Sequence, residues 1–221
     1  MPLALLKGIS KRYHNTVVLD RVDLSLEEGE FVALIGRSGS GKSTLLRILG
    51  GLEPPDAGSV EFAGKEITML SEQGLSEFRR RALGFVFQSF NLVETLTVAE
   101  NAGIPLYLNG YDHAAVTARV DELLSRLGIV EHADKFPDAL SGGEQQRAAI
   151  ARALAHHPRL VIADEPTGNL DDQTAESVME LLVHECRSQR AGLIVATHSD
   201  EVSIRSNRTI QLVGGNLETL R

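Results

Sequence analysis

The sequence predicts an α/β protein with a mainly parallel sheet, an N-terminal antiparallel β region and an inserted α-helical subdomain. Three observations carry this prediction. Four short apolar runs, FVALIG (31–36), LGFVFQ (83–88), RLVIADEP (159–166) and GLIVATHS (192–199), read as strands buried on both faces. Helical patterns separate these runs, the alternation that covers a parallel sheet on both sides. From about residue 89 to 157 the alternation stops, and one helical pattern follows another.

Each element follows in order. LALLKGISKRY and TVVLDRVDLSLEEGE read as strands joined by a turn at His14 and Asn15, with the period-two alternation of half-buried β structure. FVALIG ends at a glycine, and GKSTLLRILGG continues as a helix. SVEFAGKEI is a strand and turn, the charged residues 71–82 are a helix, and LGFVFQ is the next buried strand. ENAGIPLYLNG, DHAAVTARVDELLSRLG and the stretch from 140 to 158 are helical; TAESVMELLVHECRSQ is an amphipathic helix, and RTIQLVGGNLETL closes the chain as strand and turn. The expected organisation is one domain over 1–221, with 1–88 and 158–221 as core and about 89–157 as the helical subdomain.

Composition narrows the class. At 221 residues, 43% hydrophobic and 24% charged, the chain has the make-up of a globular domain with a sizeable core. Its net charge of −8 argues against a broad nucleic-acid footprint, which is basic. One cysteine, Cys186, excludes an internal disulfide and suits a reducing compartment. MPLALLKGISKRY places its basic residues after a short apolar run, so it does not read as a signal peptide. No stretch reaches the 18 or so apolar residues of a membrane span. The expected protein is soluble, or attached to a membrane through a partner.

GRSGSGKS (36–43) fits G-x-x-x-x-G-K-[ST] between a strand and a helix, the context in which this spacing makes a phosphate-binding loop. Gly36, Arg37, Ser38, Gly39, Ser40 and Gly41 form the loop, Gly39 and Gly41 letting backbone N–H groups wrap an anion. Lys42 supplies a point charge to the β- and γ-phosphates, Ser43 a hydroxyl for Mg²⁺, and Thr44 continues the binding turn. This makes the core that of a P-loop nucleoside triphosphatase.

A second cluster stands at the end of LVIADEP. A buried strand that ends in two acids puts them at the carboxyl edge of the sheet, where α/β proteins bind ligands. Asp164 suits Mg²⁺, held through water; Glu165 suits the water that attacks a γ-phosphate. The two are expected to point in opposite directions, as neighbours on an extended chain do.

LSGGEQQR (140–147) begins another helix. Ser141 and Glu144 have the spacing of a capping box. A helix N-terminus beside glycines is also an anion site, yet this one has no lysine of its own. Cap and half-site both remain open on the sequence.

In this order, these pieces resemble the ATP-binding subunits of ABC transporters over essentially the whole chain. LSGGEQQR matches the family signature and is the most diagnostic element. Gln88 matches the glutamine that senses Mg²⁺ and the attacking water, NLD (169–171) matches the loop that brings in Asp171, His198 the histidine at the γ-phosphate, and Tyr13 the aromatic that stacks on adenine. The resemblance implies ATP and Mg²⁺ as ligands, with Ser43, Gln88 and Asp164 around the metal and Glu165, Gln88 and His198 around the reaction. It also implies a head-to-tail dimer, in which Ser141, Gly142 and Gly143 face the γ-phosphate held by Lys42 of a second copy. Membrane permease subunits are the other implied partners, contacted by residues 89–110, with the chain on the cytoplasmic side of the inner membrane and no nucleic acid bound. Arg37 and Ser199 depart from the commoner residues at their positions. FVFQSFNLVETLTVAENAGIPL and ADEPTGNLDDQTAESVMELL look most like the lipoprotein-releasing and macrolide-exporting subfamily. A cell-division relative that signals without transport is the alternative. The remaining histidines, His156 and His157 among them, read as surface residues.

Overall fold

β1 (Ala4–Tyr13) and β2 (Thr16–Leu26) alternate buried and exposed residues and pair antiparallel. Their turn places His14 in the left-handed region, φ +53. The computed structural model describes residues 1–220. β3 (Phe31–Ile35) follows, buried at four of its five positions, and leads into α1 (Lys42–Leu49). β4 (Ala57–Phe62) and β5 (Lys65–Glu66) form a hairpin; α2 (Glu72–Ala82) and β6 (Leu83–Phe87) come next. α3 (Val98–Leu108), α4 (His113–Arg126) and α5 (Gly142–Leu154) intervene before β7 (Leu160–Asp164). α6 (Asp172–Gln189), β8 (Gly192–Thr197), α7 (Asp200–Arg205), β9 (Arg208–Val213) and β10 (Asn216–Thr219) complete the order. This is the mixed α/β fold expected, with antiparallel strands at the N-terminus, predominantly parallel pairing elsewhere and a helical insertion between β6 and β7.

The chain divides into two compact units: residues 1–79 with the stretch from Gly192 onward, and residues 80–191. In the first, β2-β1-β4-β5 form an antiparallel sheet, while β3 lies parallel to both β8 and β9. β9 and β10 are joined through Gly214 and Gly215, both at positive φ, the pattern of a tight two-residue hairpin. Leu6, Ile9, Leu19, Leu34, Leu45 and Leu49 are fully buried here. α2 buries no residue completely, and its Phe78 ring meets Phe62 edge-on at 5.0 Å.

In the second unit β6 runs parallel to β7. α5 packs so tightly against β6 that a Cβ on Gly84 would lie 2.3 Å from the Ala153 carbonyl oxygen. α3, α4, α5 and α6 bury Ala102, Leu123, Leu124, Ile150, Leu154, Val178 and Leu182. α3 starts at a capping box, Thr97 with Glu100. The fully buried Asn101 donates to the carbonyls of Val93, Leu96 and Thr97 and accepts from the Val93 amide, which fixes the segment leading into that helix. Arg126 reaches the buried carboxylate of Glu185 at 2.8 Å.

Two expectations change. α7 is an element absent from the sequence reading; six residues are too few to show a helical period. His132 and His156 are not plain surface residues. His132 Nε2 meets Glu144 Oε1 at 2.9 Å. His156 is half-buried with Nε2 2.9 Å from the Leu83 carbonyl, and burial pushes its imidazole pKa down. Both face polar groups of the chain itself, which a sequence does not display.

Candidate active site

The phosphate loop leaves β3 at Ile35. Three of its glycines are there for space or backbone angle. A Cβ on Gly36 would sit 2.8 Å from the Leu212 carbonyl oxygen, and one on Gly41 would sit 2.7 Å from Val18 Cγ1. Gly39 and Gly41 have φ of +74 and +104, which only glycine adopts without strain. Gly41 is the N-cap of α1 and provides no side-chain cap, so the first turn keeps backbone N–H groups for an anion. Arg37, Ser38 and Gly39 are exposed, Ser43 is half-buried and Thr44 buried.

Lys42 is 4% exposed. Its Nζ donates to the Gly36 carbonyl at 2.8 Å and lies 3.2 Å from His198 Nε2. Parallel pairing of β3 with β8 sets Ile35 opposite Thr197, so Gly36 and His198 follow from adjacent strand ends. Ser40 Oγ is buried without a hydrogen-bond partner in the chain. An unpaired buried hydroxyl is costly, and the oxygen of a bound anion would satisfy it. Tyr13 stands beside the loop: its hydroxyl donates to Glu53 at 2.7 Å and lies 3.4 Å from Thr44 Oγ1. Glu53 is partly buried, yet hydrogen bonds from Tyr13 and Lys11 hold its carboxyl below its ordinary pKa. Tyr13 as a whole is 39% exposed.

The second unit repeats the strand-end arrangement. Phe87 on β6 lies opposite Asp164 on β7, so Gln88 and Glu165 leave neighbouring ends of parallel strands. The expectation that Asp164 and Glu165 point apart as extended neighbours needs correction. β7 ends at Asp164, and Glu165 has φ +48, so it has already left the strand. A bulky residue held at such an angle is strained, a condition that clusters at functional sites. Gln88 Nε2 donates to Asn169 Oδ1, and Asn169 Nδ2 returns to the Gln88 carbonyl, both at 3.0 Å. A Cβ on Gly168 would meet Gln88 Nε2 at 2.8 Å. With Nε2 so engaged, Gln88 presents Oε1 as its acceptor.

Ser141 is the N-cap of α5 and the capping box is complete. Ser141 N–H donates to Glu144 Oε2 at 2.7 Å and its hydroxyl donates to the same oxygen at 2.8 Å. Those two bonds, then His132, hold the Glu144 carboxyl below its ordinary value. Ser141 is exposed and Gly142 half-buried, while Gly143 is buried against α6, where a Cβ would lie 2.5 Å from Thr174 Cγ2. Asp171 N-caps α6 through the Thr174 amide at 3.1 Å, and hydrogen bonds from Thr174 lower its carboxyl pKa.

The sequence model described as ABC transporter matches residues 19–168. The chain belongs to the ABC transporter family. An uncharacterised ABC transporter ATP-binding protein of Mycobacterium tuberculosis is 50% identical over 90% of this chain and 81% of its own length. The lipoprotein-releasing system ATP-binding protein LolD of Ruegeria pomeroyi is 46% identical over 98% and 97%, and LolD of Xanthomonas axonopodis 43% over 98% and 89%. Among solved structures, the dimeric post-hydrolysis state of an ATP-binding cassette bound to ADP and Pi aligns over 99% of both chains, with TM-score 0.90 and 38% identity. This ABC subunit binds ATP, and ATP hydrolysis to ADP and phosphate, coupled to transport, is its activity. Among the described residues, no helix is long and apolar enough to cross a membrane.

Within the ABC subunit, the first unit gathers Tyr13, the loop 36–44 and His198, and the second gathers Gln88, Asp164, Glu165, the Ser141 helix end and Asp171. Sequence reasoning missed Glu53, Gln146 and Arg152, and did not single out Asn169 within NLD. Gln146 is fully buried on α5, with Nε2 2.5 Å from the Pro166 carbonyl and 3.4 Å from that of Phe87. It ties the chain after Glu165 to the chain before Gln88. Nothing in an amphipathic helical pattern separates such a residue from an ordinary surface glutamine.

Proposed function

We propose that this chain is the ATPase of a lipoprotein-release or related efflux complex, peripheral on the cytoplasmic side of a bacterial inner membrane. The observation that carries this is the 43–46% identity to LolD proteins over nearly the full chain. The helical part, about 89–157, is the subdomain that meets the permease, through residues 89–110.

The site residues act on ATP as follows. Tyr13 stacks on adenine. The N–H groups of residues 36–44 wrap the phosphates, and Lys42 turns from the Gly36 carbonyl to the β/γ-phosphates. By the family resemblance, Ser43, Gln88 and Asp164 would hold Mg²⁺ through hydroxyl, amide and carboxylate oxygens, the donor types of a hard cation, and the ion would supply charge neutralisation on the phosphates. Glu165 orients the attacking water and takes its proton as the water oxygen bonds to the γ-phosphorus. The bond from that phosphorus to the β–γ bridging oxygen breaks, and ADP leaves with the electron pair. His198 holds the γ-phosphate oxygens through this displacement. Ser141 and the Gly142–Gly143 backbone close on the γ-phosphate of a second copy, with Asp171 at the same face. The dimeric cassettes among the solved relatives support that arrangement.

Purification of the tagged chain from gently solubilised membranes tests the reading. A multi-span subunit with a large external domain is the expected partner. Recovery of nucleic acid, or of a cell-division membrane protein, in its place overturns it.

A further inference from the structure

We propose that Arg152, near the end of the signature helix α5, is a positioning residue that holds the turn following Gln88 in its working shape. Arg152 donates from Nη2 to the Phe90 carbonyl at 2.9 Å and from Nη1 to the Asn91 carbonyl. Phe90 and Asn91 are consecutive non-glycine residues with φ of +58 and +51. Asparagine visits that region readily, whereas phenylalanine is strained there. Local bonds close the turn, from the Asn91 amide to the Ser89 carbonyl and from Ser89 Oγ to Asn91 Oδ1 at 2.9 Å. They do not fix where it lies.

The guanidinium does. It is planar and offers two N–H groups in a fixed fork to two successive carbonyls, a pre-organised geometry that a lysine ammonium on its flexible stem lacks. Arg152 is largely buried, and that burial lowers its pKa. The charge faces carbonyl oxygens rather than an acid, so the turn is what stabilises it. Gln146 on the same helix takes the Phe87 carbonyl at 3.4 Å. Three carbonyls around Gln88, those of Phe87, Phe90 and Asn91, are therefore fastened to α5. At the other end of the helix, a Cβ on Gly142 would lie 3.7 Å from Phe90 Cζ. Displacing the turn thus moves the backbone next to Gln88.

The inference rests on the reading that Gln88 takes part in hydrolysis. It is tested on the full chain with Arg152→Lys, Arg152→Met and Gln88→Ala, measuring kcat, KM for ATP, thermal midpoint and amide exchange over 88–93. A displacement on the order of 1 Å at a reacting group costs up to about 100-fold in rate. Arg152→Lys is expected to lower kcat about tenfold with KM within about twofold. Exchange should accelerate over 89–93 and stay unchanged over 36–44. Arg152→Met should lose more, so that lysine restores a part; if Arg152→Met does not fold, Arg152→Lys carries the test. Unchanged exchange over 89–93 in Arg152→Lys overturns the proposal. So does kcat within about twofold of wild type despite faster exchange, and so does a fall in thermal midpoint that accounts for all lost activity. Wild-type kcat in Gln88→Ala instead removes the Gln88 reading, and with it the catalytic consequence of the clamp, while the exchange result still decides whether Arg152 holds the turn.

Discussion

Phe87 faces Asp164 in the last register position of two parallel strands, and the next residue on each strand is Gln88 or Glu165. Ile35 and Thr197 stand in the same relation in the other unit and are followed by Gly36 and His198. Each unit thus delivers a polar group from one strand end beside a turn from the next. This is the carboxyl edge at which α/β folds bind ligands.

Lys42 is the first residue to test. Its ammonium is buried against the Gly36 carbonyl, and in the proposed function it turns from there to the phosphates. A charged hydrogen bond contributes about 1.5–3 kcal/mol, so Lys42→Ala should weaken ATP binding by about 10- to 100-fold while the chain stays folded. Calorimetric titration checks this; wild-type affinity in the folded variant contradicts it.

Glu165 carries the chemistry in this account. General-base catalysis contributes about 10²- to 10⁴-fold, so Glu165→Gln should lose that much turnover and still bind ATP. Phosphate release at saturating ATP measures it. Turnover within about threefold of wild type rejects the role.

Gly143 tests the packing behind the signature helix. Alanine there would place Cβ 2.5 Å from Thr174 Cγ2. Overpacking of this kind costs about 1–3 kcal/mol, against about 1 kcal/mol of helix propensity gained. Gly143→Ala should therefore lower stability in urea unfolding, and Thr174→Ser, which removes Cγ2, should restore it. If the double variant stays as unstable as the single one, Thr174 is not what excludes the methyl.

Glu144 makes stability depend on pH. Its pKa is lowered by the Ser141 amide first, then the Ser141 hydroxyl and His132. A carboxyl depressed in the folded chain stabilises it above the unfolded value, and that contribution is lost as pH falls through the folded value. The advantage of wild type over Glu144→Gln should be full at about pH 5.5 and shrink steadily below about pH 4.3. Urea midpoints across that range measure it; a constant difference contradicts the assignment.

The parts legible in the sequence were those with a local signature. FVALI, LGFVF, LVIAD and GLIVAT announce buried strands because they are apolar throughout, and the loop 36–43 announces itself through spacing. What escaped depends on distance in the chain. Nothing near Arg152 says that its guanidinium meets Phe90 and Asn91, and nothing near Gln146 says that it joins Phe87 to Pro166. Asp164 and Glu165 were legible as residues but not as geometry, because the chain turns at Glu165 where an extended strand was assumed. Within 89–110, the apolar residues divide between roles. Val98, Ala102 and Leu106 are core, whereas Val93, Tyr107 and Leu108 are exposed at 42%, 47% and 58%.

The composite site is the central claim, and one measurement addresses it directly. Glu165→Gln, which slows hydrolysis, is examined by light scattering with and without ATP. The account predicts about twice the 24.0 kDa chain mass with ATP and the single mass without it. Adding Ser141→Arg should abolish the doubling and leave ATP affinity nearly unchanged, because the exposed Ser141 then meets the partner's phosphate with a bulky side chain. If the chain carrying both substitutions still doubles in mass with ATP as readily as Glu165→Gln alone, Ser141 is only the cap of its helix and the account is wrong.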